Sequence, residues 1–117
     1  MSSFHFESPS FAPAEGHVVE VPANMHDKAE LLAFLARAIP LPDYFGHNWD
    51  ALEECLVEIG EAKGAKIILL HHDVPLEDEP SDQRTYLEIL DSVARGSERL
   101  SVIFPEEYRE QVADILE

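Results

Sequence analysis

The chain has 117 residues, 45% of them apolar, which suits one domain that buries roughly two thirds of its unfolded surface around a single core. Asp and Glu number 24 against 8 Lys and Arg, a formal charge of -16, and so acidic a surface repels phosphate backbones and anionic membranes while drawing basic partners inward at low salt. One cysteine rules out an internal disulfide framework, and the opening MSSFHFESP has neither the basic nor the apolar run of a signal peptide or membrane span, so a cytoplasmic protein that binds neither nucleic acid nor membrane is expected.

Residues 1–16 carry Pro9, Pro13 and Gly16 without a sustained period of 2 or 3.6, and read as an irregular N-terminal arm. Phe4, Phe6 and Phe11 give it a means of pinning to the body or adding an edge strand. A single domain over 17–117 follows. His17 to Val21 alternates in part, is rich in β-branched residues and reads as a first strand ended by Pro22. Asp27 with Glu30 has the form of a capping box, opening a helix with Leu31, Phe34, Leu35, Ala38 and Ile39 on one face and a stop before Pro40.

The stretch from Leu41 to Ile59 starts as a loop dense in aromatic residues and turns into a helix studded with carboxylates. Pro42 fixes a torsion and Gly46 is free to take positive φ, so a tight turn would present Tyr44, Phe45 and His47. Asn48 stands where an N-cap belongs, with Trp49 and Asp50 in the first helical turn. Leu52, Cys55, Leu56 and Ile59 form the apolar stripe, while Asp50, Glu54 and Glu58 lie four apart on another face with Glu53 beside them. Like charges at that spacing cost an isolated helix a few tenths of a kcal/mol per pair, so the ladder points to a basic partner. Tyr44, Phe45, His47, Asn48, Trp49, Asp50, Glu53 and Glu54 make the candidate partner-binding set, with ring area for desolvated contact and carboxylates to hold Arg or Lys. Phe45 and Trp49 have a second reading as core residues that anchor the loop.

Gly60 and Gly64 bracket a turn, and Lys66 to Leu70 is a nearly continuous apolar run, as in a covered strand of a parallel sheet. Asp73 to Asp82, with Pro75, Pro80 and several carboxylates, reads as a surface loop. Ser81 or Asp82 would cap a helix carrying Tyr86, Leu87, Leu90, Val93 and Ala94 and closed by Gly96. Leu100 to Phe104 is a third strand, and Pro105 opens a last helix through Tyr108, Val112, Ile115 and Leu116. The order implies an α/β fold with a small three-stranded parallel sheet packed with helices.

Catalytic chemistry finds little support. Gly60 and Gly64 lack the lysine or third glycine of a phosphate loop. His71 and His72 follow a strand at its carboxyl end, where open α/β sheets bind ligands, but neighbours on a strand point to opposite faces and cannot easily share one ion, so they read as ordinary strand-end histidines, one of them partly buried against a helix. No catalytic, cofactor-binding or metal-binding residue is therefore assigned, and the protein is read as a non-enzyme.

The run LPDYFGHNWDALEECL resembles the signature of the barstar family of small intracellular ribonuclease inhibitors, whose corresponding run reads Leu-Pro-acid-Tyr-Tyr-Gly-x-Asn-x-Asp-Ala-Leu-x-Asp-Cys-Leu. Leu41, Pro42, Tyr44, Gly46, Asn48, Asp50, Ala51, Leu52, Cys55 and Leu56 carry the likeness, and the element order extends it over residues 17 to 104, with the first 16 residues and the helix after Phe104 read as additions at the ends. The resemblance implies a barstar-like fold whose loop and following helix plug a nuclease active site and mimic the charge of RNA. Tyr44 then matches the family's loop tyrosine, Asp50 its first helix aspartate and Glu54 its central aspartate; for a further acidic contact Asp82 is the nearest candidate, and Gln83 aligns as well but with the wrong charge. Glu54 is one methylene longer than that aspartate, Glu53 replaces a contact tryptophan, and Trp49 stands where the family inhibitor has leucine, so the best-known partner is not assumed. The expected partner is a basic protein, a cognate ribonuclease; the other reading is an acidic interaction or regulatory module with no nuclease target.

Overall fold

A computed structural model of the chain describes residues 4–8, 16–39, 48–61, 66–97 and 99–116, with side chains omitted at 59–61. Its elements are β1 (His5–Glu7), β2 (His17–Val21), α1 (Lys28–Ala38), α2 (Trp49–Glu61), β3 (Ile67–His71), α3 (Pro80–Gly96), β4 (Leu100–Pro105), a 3-10 turn (Glu106–Tyr108) and α4 (Arg109–Leu116). The strands form one sheet in the order β1-β4-β3-β2 with every pairing parallel. The α/β class stands as expected, but the sheet has four strands rather than three. The extra strand is His5–Glu7, the edge strand that the phenylalanines gave the arm a means of adding, with Phe4 and Phe6 packed on Phe104; three residues are too few to show a period, so its place beside Ile103, Phe104 and Pro105 is fixed only by the pairing itself.

β3 and β4 are the central strands and are buried along nearly their whole length, which accounts for the unbroken apolar runs at 67–70 and 102–104. Leu31, Leu35 and Ile39 of the α1 stripe are buried as expected, and Leu32 joins them, whereas Phe34 and Ala38 are only half-buried. Asp27 does precede α1, yet its side chain makes no cap hydrogen bond, so the capping box is not formed; the first turn closes through the backbone bond from Leu31 N–H to the Asp27 carbonyl. Similarly, α3 begins at Pro80, one residue before Ser81 and two before Asp82, with Glu79 before it and no side-chain cap. Proline suits that first position, since its missing N–H would have had no helical partner.

The segment 73–82 departs furthest from the surface loop expected of it. Val74, Pro75 and Leu76 are buried, Leu76 N–H donates to the Met25 carbonyl at 2.8 Å, and Gln83 Nε2 donates to the Pro75 carbonyl at 3.0 Å. Asp73 Oδ2 accepts from Asn24 N–H at 3.1 Å, so the loops at the carboxyl ends of β2 and β3 are laced together. The acidic residues that gave the segment its polar look, Glu77 to Glu79, face solvent.

Gly16 is a strict local requirement. Its φ is 93°, and a Cβ there would lie 2.6 Å from the Lys66 carbonyl oxygen, the group that accepts the His17 N–H bond at 2.7 Å and starts the β2–β3 ladder. Gly16→Ala is expected to lower unfolding free energy by about 2 kcal/mol in urea titration, through positive-φ strain and this backbone clash together.

Candidate functional site

α2 is fixed at its start by the cap the sequence indicated. Asn48 Oδ1 accepts the Ala51 N–H at 2.8 Å and the Asn48 carbonyl accepts the Leu52 N–H at 3.0 Å. Asp50 lies in the first turn, where a carboxylate meets the positive helix end. Leu52, Cys55 and Leu56 are fully or almost fully buried, and α2 packs on α3. Burial of the two leucines is worth roughly 1.5–3 kcal/mol each, against a few tenths for each like-charge pair. Packing therefore outweighs repulsion, and the helix can carry an acidic face.

That face is continuous. Asp50, Glu53, Glu54, Val57 and Glu58 are all exposed, and at 100° per residue they fall within an arc of roughly 140°. Val57 is 40% exposed, an apolar position within the carboxylates. Beneath them, burial first and then the charges of Glu58 and Glu54 raise the Cys55 thiol above its usual value, which keeps it protonated as a core side chain rather than a nucleophile.

Trp49 sits half-buried at the junction of three helices. Its Nε1 donates to Asp82 Oδ1 at 3.1 Å, its ring lies 6.0 Å from that of Tyr86, and Lys28 Nζ stands 5.4 Å over its face. The candidate set thus comes together in part: Asn48, Trp49, Asp50, Glu53 and Glu54 share one helix end, with Asp82 bound to Trp49. Tyr44, Phe45 and His47, together with Leu41, Pro42 and Gly46, fall outside the described residues, as does the side chain of Ile59.

The two strand-end histidines separate as period 2 demands. His72 is exposed and pairs with Glu20 at 3.2 Å, while His71 is 2% exposed and stacks on Phe104 at 4.2 Å between ring centroids. His71 Nδ1 lies 3.1 Å from the Ile103 carbonyl and Nε2 lies 2.7 Å from the Tyr86 hydroxyl. A carbonyl only accepts, so Nδ1 carries the proton, and Nε2 accepts from Tyr86. His71 borders a cleft of about 170 Å³ that includes Glu7, His72 and Glu107, but both ring nitrogens are already engaged within the protein. Among the described residues no group of three His, Cys, Asp or Glu gathers as a metal site. One strand-end histidine is buried against a helix, as expected, but its bond to Tyr86 and the Trp49–Asp82 bond were not foreseen from sequence. The sequence signal for which histidine turns inward is that His71 continues the alternation of Ile67 and Leu69.

These features define a small parallel α/β protein that presents an acidic, capped helix on a closed core. The chain belongs to the barstar family: the family's sequence profile, described as barstar (barnase inhibitor), matches residues 17–116. The match begins at β2, as the resemblance indicated, and runs past Phe104 to take in α4, which is therefore part of the family domain rather than an addition. No curated protein sequence matches the chain. No helix among the described residues is long and apolar enough to cross a membrane.

Burial pushes the His71 imidazole down to about 4, with the neighbouring His72 charge a minor contribution in the same direction. An unfolded imidazole takes up its proton near pH 6.5, and the folded one does so only near pH 4, so between those values the unfolded state holds more protons and stability falls with falling pH. Between pH 7 and pH 5 the wild type should lose about 2 kcal/mol of unfolding free energy relative to the His71→Leu/Tyr86→Phe double variant, measured by urea titration at each pH.

Proposed function

We propose that this protein inhibits a ribonuclease in the cytoplasm, occluding its basic substrate cleft with the acidic face of α2 and the preceding loop. The observation that carries this reading is the exposed face of Asp50, Glu53, Glu54 and Glu58, with Val57 among them, on a capped, well-anchored helix, in a chain whose family is described as an inhibitor of barnase. The family is one of inhibitors rather than enzymes, and the inhibitory chemistry needs no catalytic group: carboxylates take the places that RNA phosphates would occupy, and the bulk of the domain excludes substrate. The formal charge of -16 speeds encounter with a cationic nuclease and makes that encounter sensitive to salt.

Within this reading Tyr44, Phe45, His47, Asn48, Trp49, Asp50, Glu53 and Glu54 line the contact, with Asp50 and Glu54 as the principal grips on Arg or Lys. Trp49 contributes only the part of its half-buried ring that Lys28 and Tyr86 leave open, with its Nε1 held by Asp82. Asp82 is for that reason better placed to position Trp49 than to reach for a partner. Glu53 and Glu54, where the family has tryptophan and aspartate, shift the grip from ring contact toward longer carboxylates, which suits a nuclease other than the family's best-known one. The same two departures support a second reading, an acidic interaction module without a nuclease target.

The test is titration of the protein into RNA-cleavage assays with a panel of basic barnase-type ribonucleases, followed by calorimetry with whichever is inhibited. Asp50→Ala and Glu54→Ala are each expected to weaken binding by more than about 2 kcal/mol. Losses below about 0.5 kcal/mol at both positions would remove α2 from the interface. A panel without inhibition, together with recovery of a non-nuclease as a direct and saturable ligand, would favour the second reading.

A further inference from the structure

The first turns of α1, α2 and α3 meet around Trp49, the single tryptophan of the chain. Lys28 opens α1, Trp49 opens α2, and Asp82 lies in the first turn of α3. The Asp82 carboxylate takes the indole N–H at 3.1 Å, and the Lys28 ammonium stands 5.4 Å over the ring. Lys28 is half-buried, in keeping with a lysine whose stem lies on protein surface while its head stays accessible. By local rules it is out of place: a cation in a first turn faces the positive end of its own helix dipole, where Asp50 and Asp82 carry the favoured sign. Arg84 and Arg95 pair with Glu88 and Asp91 along α3, and Arg109 covers Phe6, whereas Lys28 is laid against the helix that carries the acidic face. A face of carboxylates attracts any basic surface, and selection among basic partners needs an element that repels the wrong ones. An indole beside those carboxylates would add to the indiscriminate attraction, because tryptophan is the ring that draws cations best.

We propose that Lys28 is a specificity-determining residue of the α2 face: seated over Trp49, it closes the indole to the cations of a bound protein, so that a partner is accepted only when its basic groups fall opposite Asp50, Glu53 and Glu54 and not opposite Trp49. This rests on the reading of α2 as the partner-binding face, and adds which basic surfaces that face refuses. A second cation drawn to the same indole would come within roughly 6 Å of the Lys28 ammonium. Repulsion at that range costs roughly threefold in affinity at the dielectric of water, and roughly a hundredfold at the lower effective dielectric of a closed interface. The carboxylates of α2 are left to grip, while the three-helix junction discriminates.

The full-length chain is titrated at low salt with a hexa-arginine peptide, by calorimetry for affinity and by fluorescence for contact, since the emission of the single tryptophan reports this site alone. The wild type is expected to bind the peptide through its carboxylates with Trp49 emission unchanged. Lys28→Met should show a saturable change in that emission as an arginine reaches the ring. It should also bind at least about threefold more tightly than Lys66→Met, which makes the same change in net charge at an exposed residue preceding β3. Lys28→Arg, which keeps the cation, should behave as the wild type. Equal affinities of Lys28→Met and Lys66→Met, or a Trp49 response in the wild type as large as in Lys28→Met, overturn the role of Lys28. The ribonuclease panel judges the parent reading separately: if no nuclease is inhibited the inhibitor function falls, and the peptide titration still decides whether Lys28 shields the indole.

Discussion

The Tyr86 hydroxyl donating to His71 Nε2 is the contact on which the arrangement of this molecule depends. It places a polar pair in the centre of an otherwise apolar core, and the pair is tolerable there because every hydrogen-bonding atom on it is used: Nδ1 donates to Ile103 and Nε2 accepts from Tyr86. With one partner on each ring nitrogen, the imidazole orientation is fixed and α3 is tied to β3 and β4 through it.

From that pair a row of rings runs outward in both directions. Phe104 stacks on His71 from one side and receives Phe4 and Phe6; Tyr86 meets Trp49 on the other, and Trp49 is bonded to Asp82 and covered by Lys28. The acidic face of α2 is thus tied to the centre of the sheet through named contacts rather than carried on a free helix. Interfaces whose grip depends on carboxylate geometry benefit from such pre-organisation, because less side-chain and backbone freedom is lost on binding. The same connection makes the core sensitive to acid through one buried imidazole, whose charged form is opposed mainly by desolvation.

The acidic face itself runs against the preferences of an isolated helix, and it is stable only because Leu52, Cys55 and Leu56 are buried beneath it. Local sequence and global fold are at odds at this surface. Conflicts of that kind are expected where a surface is kept for a partner.

Much of the fold was legible without coordinates because its signals are local. Asn48 three residues before Ala51, the 3.6 period of Leu52, Cys55 and Leu56, and the unbroken runs of β3 and β4 are each set within a few residues of chain, and each holds in the structure. The charge of -16 and the motif from Leu41 to Leu56 gave the family and the kind of partner to look for. What only the tertiary structure decided are contacts between residues far apart in the chain. Trp49 and Asp82 are 33 residues apart, His71 and Tyr86 are 15 apart, and Phe4 and Phe6 reach Phe104 from the other end of the molecule. Burial of Val74 and Leu76 within an acidic loop and the fourth strand at His5–Glu7 belong to the same class. Periodicity shows which face of an element is apolar, but the partner that covers it is fixed only when the whole chain closes around one core.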